Sequence, residues 1–444
     1  MKYIPKYDKD FAPMIIDYKK YLMGGKILVK VAIERNDSYN FIKDLYLIDD
    51  SDKTLEIAQR FIQGVLWSAG GFKIFIYGSG KLIDKLRKAY NGEYKVDAKY
   101  MKRIYQQELE IIEIQDIEDF PLYNPCSISI GGHLNGNRIG LDVGGSDKKV
   151  SAVVNGEVIY SEEVVWHPKI NSDYRYHYAE ITKSLKTAAS KMDWVDCIGV
   201  SSAGDIVDNK VVLALLYKMV NEEDFDKYIR DIYINAAKEI GENIPVVVAN
   251  DGDVSALAGS IYMKKKSLLG LAFGTSEAAG YIDADGNLNG FLSELAFMPI
   301  DNNKNSPPNE FNDDYGVGTN YFSQDAVIKL GQRANVDFSD AKSPAEKLKV
   351  VQKMAAEGNQ AALDIFNDIG IYLGYTVPYY AEFYDLKNVM LLGRVMSGIG
   401  GEIILNTAKK ILKEVFNSEI DLFLPDEMTR RVGQSIAAAS LPRI

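Results

Sequence analysis

The feature that most constrains the fold of this chain is a strand–turn–strand unit at residues 138–160. An apolar run ends at Asp142, glycines at 144 and 145 turn the chain, and a second β-rich run follows. An Asn-Gly pair at 155 and 156 then predicts a tight hairpin into a third strand. Because glycine lacks a Cβ, the first turn lets backbone amides approach a phosphate group closely.

A similar unit occurs at residues 268–290. Another apolar run leads into Gly274-Thr275, a short strand follows, and Asp285-Gly286 makes the next turn. Either turn alone is equally consistent with an ordinary Gly-rich β-turn. Two copies roughly 130 residues apart favour a duplicated lobe, in which each lobe offers a phosphate-binding turn to a shared cleft.

A third motif lies between the two units, where the apolar run 245–249 stops at Asn250-Asp251 and a helix-favouring stretch begins. A carboxylate at the start of a helix is favoured in its ionised form, which suits a general base. The alternative is that Asn250 or Asp251 simply caps the helix. The position between the two turns favours catalysis for Asp251.

These motifs, taken in order, resemble the actin/hexokinase/Hsp70 ATPase superfamily and, within it, the ROK family of repressors, open reading frames and sugar kinases. The resemblance covers about residues 136–444. Its segments are Asp142-Val-Gly-Gly-Ser146, Gly199-Val-Ser-Ser-Ala-Gly204, Asn250-Asp251, Gly274-Thr275 and Val389-Met-Leu-Leu-Gly393. It implies an α/β fold with two ribonuclease-H-like (actin-like ATPase) lobes around a cleft, at residues 135–250 and 251–444, preceded by a small α+β domain at 1–134.

The activity implied by the resemblance is that of an ATP- and Mg²⁺-dependent sugar kinase, which phosphorylates a hexose or hexose-like hydroxyl. Asp251 would be the general base, and Asp142 would hold Mg²⁺. The implied nucleotide contacts are Gly144, Gly145, Ser146, Gly274, Thr275 and Gly393. The implied sugar contacts are Ser202, Gly204, Asn250, Asp251 and Glu294. Two of these have other interpretations, since Ser202 also fits a strand-to-hairpin turn and Glu294 a solvated carboxylate.

The sequence departs from the ROK pattern in ways that leave a second function open. The second phosphate turn reads Gly274-Thr-Ser-Glu-Ala-Ala-Gly280, and Glu277 would repel a phosphate if it faced that ligand. Arg394 stands where the family has a second glycine on the adenosine side. Residues 301–321 contain no cysteine, so no zinc is expected. The alternative is a non-catalytic, sugar-sensing regulatory protein with a weakened nucleotide site.

Residues 1–134 lie outside the resemblance. Strands are predicted at 25–33, 38–48, 72–77 and 108–114, helices at 54–68 and 81–90, and a linker at 121–133. This α+β pattern does not resemble the winged helix-turn-helix of ROK repressors. Basic and acidic residues are nearly balanced here, so the electrostatic signature of a DNA-binding domain is missing.

Composition excludes several classes of function. The net charge of −11 argues against broad binding to nucleic acid or anionic membranes, and no apolar run is long enough to span a bilayer. Two cysteines are too few for a disulfide framework. Composition therefore favours a cytoplasmic enzyme. The resemblance implies that its partners are a sugar and ATP, and a homodimer is left open.

Overall fold

A computed structural model describes residues 1–129, 131–425 and 427–444, with the backbone alone described at 427–432. The chain forms two compact units. Unit 1 comprises Met1–Cys126, Leu271–Ala279 and Gly290–Leu424, and unit 2 comprises Ser127–Gly270, Gly280–Asn289 and Pro425–Ile444. The mixed α/β class predicted from the sequence is confirmed. The predicted domain boundaries after residues 134 and 250 stay predictions.

The amino-terminal part of unit 1 contains a small sheet flanked by helices. Its elements are α1 (Met14–Tyr21), β1 (Ile27–Glu34), β2 (Asn40–Leu47), α2 (Asp52–Ser68), β3 (Lys73–Tyr77), α3 (Gly80–Asn91), α4 (Lys95–Tyr105) and β4 (Glu110–Ile114). The strand order is β2-β1-β3-β4, in which β1 runs antiparallel to β2 and β3, and β4 runs parallel to β3. The four strands and two helices predicted for this segment are confirmed, whereas α1 and α4 were not predicted.

Helix α2 is buried along most of its length and carries one buried arginine. Arg60 is 1% exposed, and its guanidinium lies 2.7 Å from the Asp314 carboxylate. It also donates to the Tyr315 carbonyl oxygen at 2.7 Å and packs on the Tyr315 ring. Burying a guanidinium is costly unless its charge is paired. The amino-terminal segment and the 301–315 loop are therefore bound together inside this unit.

Unit 2 is built on a five-stranded sheet. Its elements are β5 (Asn137–Val143), β6 (Asp147–Val154), β7 (Glu157–Val165), α5 (Tyr174–Ala189), β8 (Cys197–Ser202), β9 (Asp205–Val207), β10 (Lys210–Leu213), α6 (Glu222–Asp224), α7 (Ile232–Lys238), β11 (Val246–Asn250) and α8 (Asp251–Met263). The sheet order is β11-β8-β5-β6-β7. Strand β5 is parallel to β8 and antiparallel to β6, and β8 is parallel to β11. The predicted meander of β5, β6 and β7 is confirmed.

The remaining elements complete both units. They are β12 (Leu268–Phe273), β13 (Glu277–Ile282), α9 (Gln324–Arg333), α10 (Pro344–Ala356), α11 (Gln360–Tyr380), β14 (Asn388–Leu392), α12 (Gly398–Phe416), β15 (Asp421–Phe423) and α13 (Glu427–Ala439). The strand order here is β13-β12-β14-β15. Within the described chain, no helix combines the length and the apolar character that a bilayer span requires.

Helix α13 packs directly on the sheet of unit 2 through a pair of glycines. Gly140 and Gly199 lie opposite each other on β5 and β8. A Cβ added to Gly140 would lie 1.7 Å from the Ser435 carbonyl oxygen, and one added to Gly199 would lie 1.7 Å from that of Ala438. The helix backbone therefore touches the sheet backbone, which no residue with a side chain would permit.

Candidate active site

Three parallel strands of unit 2 end at one edge of its sheet, and most of the predicted site residues lie there. Asp142, near the end of β5, is paired with Ser201 of β8. Ser202 is in turn paired with Asn250, the last residue of β11. The carboxyl ends of parallel strands are the usual ligand-binding edge of an α/β sheet. The register thus collects the first phosphate turn, the 202–204 loop and Asp251 at one place.

Asp142 is buried beneath the first turn, where a serine orients it. It is 8% exposed, and its Oδ1 accepts a hydrogen bond from Ser201 Oγ at 2.7 Å. Burial raises the pKa of Asp142 to about 6, the Ser201 hydrogen bond opposes the rise, and the negative charge of Asp251 adds to it. The two carboxylates are therefore close enough to influence each other.

Asp251 is the first residue of α8, but Asn250 caps that helix. The Asn250 side-chain oxygen accepts from Gly252 N at 2.7 Å, and its amide donates to the Gly204 carbonyl oxygen at 2.8 Å. Of the two residues proposed as caps, Asn250 fills the role, and it also ties the 202–204 loop to the helix. Asp251 is half-buried. Burial raises its pKa, while peptide N–H groups at the helix start lower it.

The first turn keeps its predicted shape and brings a lysine with it. Gly144 N donates to the Asp147 carbonyl oxygen at 3.0 Å, and Trp166 Nε1 donates to the Gly144 carbonyl oxygen at 2.8 Å. Ser146 is exposed. A Cβ added to Gly145 would lie 3.0 Å from Lys169 Nζ. The turn therefore presents backbone amides beside an ammonium group, which sequence analysis did not identify because an exposed lysine in a loop carries no distinctive signal.

The 202–204 loop is fixed by a chain of hydroxyl groups. Ser202 Oγ lies 2.7 Å from Tyr233 OH, which lies 2.9 Å from Tyr217 OH. Gly204 has φ +119°, and a Cβ there would lie 2.5 Å from the Leu213 carbonyl oxygen, so glycine is required. The two tyrosines were not singled out in the sequence, since aromatic residues at helical spacing usually fill a core.

The second turn lies in unit 1, and its glutamate is directed into the core. Thr275 is exposed, and the Gly274 carbonyl oxygen accepts from Gln324 N at 2.8 Å. Glu277 is only 4% exposed, and its Oε1 accepts from Tyr380 OH at 3.1 Å. Burial raises the pKa of Glu277 to about 8, so its carboxyl is largely protonated at neutral pH. The repulsion considered for an outward-facing Glu277 therefore does not arise.

Replacing Glu277 by glutamine is expected to flatten the dependence of stability on pH. An unfolded glutamate ionises near pH 4.5, whereas folded Glu277 keeps its proton to about pH 8. Its contribution to stability is thus present below pH 4.5 and is lost as pH rises to 8, by at most about 1.4 kcal/mol per pH unit. Melting temperatures of both proteins from pH 4.5 to 8.5 test this. Glu157→Gln, at an exposed strand position, should show the same dependence of melting temperature on pH as the native protein. If Glu277→Gln also showed the native dependence, folded Glu277 would not be the protonated group inferred here.

The other predicted contacts, Glu294 and Gly393, also lie in unit 1. Gly393 follows β14 with φ +97°, and a Cβ there would lie 2.4 Å from the Phe273 carbonyl oxygen. The neighbouring Arg394 is exposed, and Glu294 is half-buried. The predicted site residues therefore form two groups. Unit 2 holds Asp142, Gly144, Gly145, Ser146, Ser202, Gly204, Asn250 and Asp251, and unit 1 holds Gly274, Thr275, Glu294 and Gly393.

The described side chains are compatible with one kind of metal site. Among the residues that the structure describes, no three histidine, cysteine, aspartate or glutamate side chains form a cluster able to hold a metal ion. Magnesium in phosphotransferases does not require such a cluster, because one or two carboxylates, water and substrate phosphates complete its shell. Asp142, with one oxygen held by Ser201, is compatible with that kind of site.

Comparisons with known proteins identify the fold. No protein-family model and no curated protein sequence matches the chain. Among solved structures, a ROK family glucokinase from Streptomyces griseus in complex with glucose and AMPPNP has a TM-score of 0.51 at 18% identity, covering 68% of this chain and 98% of its own. A ROK hexokinase from Thermus thermophilus gives 0.53 at 16% identity, covering 68% and 96%. This chain has the ROK fold.

A third similar structure belongs to a regulator. It is a ROK family transcriptional regulator, a homologue of the E. coli MLC protein, with a TM-score of 0.55 at 16% identity, covering 69% of this chain and 79% of its own. The resemblance inferred from the sequence motifs is thus confirmed in the fold. Because the same fold carries both kinases and regulators, activity has to be argued from the site.

Proposed function

We propose that this protein is an ATP- and Mg²⁺-dependent sugar kinase of the cytoplasm, which transfers the γ-phosphoryl group to a hydroxyl of a hexose or hexose-like sugar. The observation that carries the proposal is that Asp142 and Asp251 lie at the same carboxyl edge of the unit 2 sheet, next to a glycine turn, close enough for the charge of Asp251 to raise the pKa of Asp142. When two carboxylates have separate hydrogen-bond partners, one can hold a metal ion while the other accepts a proton.

In the proposed reaction Asp251 accepts the proton of the sugar hydroxyl while the oxygen of that hydroxyl bonds to the γ-phosphorus. The bond from that phosphorus to the ADP oxygen breaks at the same time. Burial raises the pKa of Asp251 and so makes its carboxylate a better proton acceptor than an exposed aspartate. Asn250 caps the helix, so the Asp251 side chain does not have to serve as the cap.

The first turn would contact the phosphates. The backbone amides at 145 and 146 and the Lys169 ammonium group lie at this turn, and both kinds of group stabilise negative charge that develops on transferred phosphoryl oxygens. The Gly144 amide closes the turn by donating to Asp147, so Gly144 would contribute close backbone approach rather than a hydrogen bond. Asp142 would hold Mg²⁺ directly or through water, and the ion would neutralise phosphate charge. Gly274, Thr275 and Gly393 remain proposed nucleotide contacts. The exposure of Thr275 and the glycine-restricted backbone at Gly393 support two of the three.

The sugar contacts are proposed at the 202–204 loop, Asn250 and Glu294. Ser202 and Asn250 already make hydrogen bonds within the protein. Ser202 is fully buried, so it would act by fixing the 202–204 loop rather than by touching the sugar. The half-buried Asn250 would offer a side chain that is already held in place, which favours a preorganised pocket. A screen that couples ADP release to a panel of hexoses, amino sugars and their derivatives tests the activity and identifies the acceptor.

A second candidate function, sugar sensing without catalysis, is favoured by one observation. The exposed Arg394 follows Gly393 at the position where a second glycine would let adenosine approach, although its guanidinium could stack on the base. A weakened nucleotide site would leave a protein that binds sugar alone, as a regulator requires.

Mg²⁺-ATP is expected to raise the melting temperature of the protein if the kinase assignment is correct. A ligand at about 100 times its dissociation constant adds roughly 2.7 kcal/mol of stability. The shift should shrink in Asp142→Asn, because the proposed metal ligand is lost. A shift with sugar and none with saturating Mg²⁺-ATP would favour the sensor.

A further inference from the structure

A cavity of about 340 Å³, partly open to solvent, lies in unit 1 among α2, α3, the segment that joins α3 to α4, and the 304–315 loop. It contains none of the residues assigned to the kinase site. Cavities of this size belong to the range that holds small-molecule ligands. Three cationic side chains and four carboxylates line it. Glu93, Lys304 and Asp313 among them are exposed, so the cavity is polar and can be reached from solvent.

Arg60 provides an unused hydrogen-bond donor at this cavity. Its two terminal nitrogens are engaged by Asp314 and by backbone carbonyl groups. Its Nε, in a side chain that is 1% exposed, has no hydrogen-bond partner among the described residues. Leaving a buried donor unpaired costs about 1–3 kcal/mol. A ligand with an acceptor atom would satisfy this group.

The remaining walls are held in place by their own contacts. Gln59 Nε2 donates to Glu93 Oε1 at 2.9 Å, and Lys304 Nζ lies 2.8 Å from Glu56 Oε1. Tyr94 is a buried aromatic wall of the same cavity. These contacts leave carboxylate acceptors, ammonium donors and one ring edge around a fixed space. A site that is organised before binding loses less entropy when a ligand enters.

The chemistry of the walls selects the ligand class. Carboxylates outnumber cations, so an anion such as phosphate is disfavoured, and the charged walls disfavour an apolar molecule. A hydroxyl group both donates and accepts. One polyhydroxylated molecule can therefore accept from Arg60 Nε and donate to Glu93 at the same time. We propose that this cavity binds a small uncharged polyol or monosaccharide, at a site separate from the proposed catalytic one.

Hydrogen–deuterium exchange of the full chain tests the site directly, with glucose, N-acetylglucosamine and myo-inositol as separate probes and glycine as a zwitterionic comparison. At about ten times its dissociation constant, a bound probe should slow opening of the local structure about tenfold. We expect slower exchange in peptides that cover residues 85–95 and 304–315. Protection confined to residues 140–146 and 199–204 would support the sugar site of the proposed kinase but would overturn this inference.

Substitutions assign the protection to the cavity. Glu93 is exposed on one side, so Glu93→Ala should remove the protection while the melting temperature stays near that of the native protein. Lys85→Met, at another wall, should weaken it. Glu108→Ala, outside the cavity in the same region, should leave it unchanged. Protection by glycine alone, or protection that survives Glu93→Ala, would refute the polyol assignment. Asp251→Asn should bind the probe here as the native protein does.

Discussion

Replacing Asp251 by asparagine is expected to lower turnover by about 10²–10⁴-fold, the usual contribution of a general base, while the protein stays folded. Asparagine cannot take up the hydroxyl proton, yet it has nearly the same shape. Asn250 caps α8, so the helix start does not depend on the substituted residue. ADP release under saturating substrates measures the loss. Sugar binding by calorimetry should remain within a few-fold of the native value.

Asp253 supplies a matched control on the same helix. Its carboxyl is half-buried, burial raises its pKa to about 7, and the backbone of Tyr281 hydrogen-bonds to it. Asp253→Asn should therefore retain most of the turnover, because a carboxyl that is about half protonated at pH 7 is replaced by a neutral amide of nearly the same shape. Equal losses in both variants, or a drop in melting temperature with Asp251→Asn, would indicate that Asp251 is structural rather than catalytic.

Replacing Arg60 by methionine is expected to lower the free energy of unfolding by about 3–5 kcal/mol, the range found when one partner of a buried ion pair is removed. Asp314, 7% exposed, would keep its charge with no cation to balance it. The carbonyl oxygen of Tyr315 would lose its donor as well. Urea denaturation followed by tryptophan fluorescence measures the change, because Trp67 lies on the same helix.

An exposed pair on the amino-terminal part of the chain shows what an ordinary ion pair contributes. Lys81 and Asp50 have side chains that are 67% and 59% exposed. Lys81→Ala should leave the free energy of unfolding close to that of the native protein, since solvent and salt screen such pairs. If Arg60→Met costs no more than this control, the 301–315 loop and α2 are not held together by the buried pair.

The parts of the fold that could be predicted are those with a local signal. The turn at Gly144 and Gly145 follows an apolar run, and the Asn-Gly pair at 155 and 156 fixes the next hairpin, so β5, β6 and β7 follow from neighbouring residues. Asn250 and Asp251 mark the start of α8 in the same way. The ROK fold could be inferred because several such local signals occur in a fixed order.

The features that could not be predicted depend on residues far apart in the chain. Glu277 is hydrogen-bonded to Tyr380, Ser202 to Tyr233, and Arg60 to Asp314, and each partner lies in another part of the chain. Periodicity reports which face of an element is buried, but it does not report which residue lies opposite. The sequence alone therefore does not show that the Glu277 side chain points into the core, so it does not show whether a carboxylate faces a ligand at the second turn.

Through the glycines at 140 and 199, the strands that carry Asp142 and Ser201 depend on packing against α13, near the end of the chain. Each stands two residues before Asp142 or Ser201 on its strand, and side chains two apart on a strand face the same side. The last helix rests on that same face. A single methyl group at either glycine would thus lift α13 away and loosen the support beneath the proposed metal ligand, without touching any residue that handles the substrate.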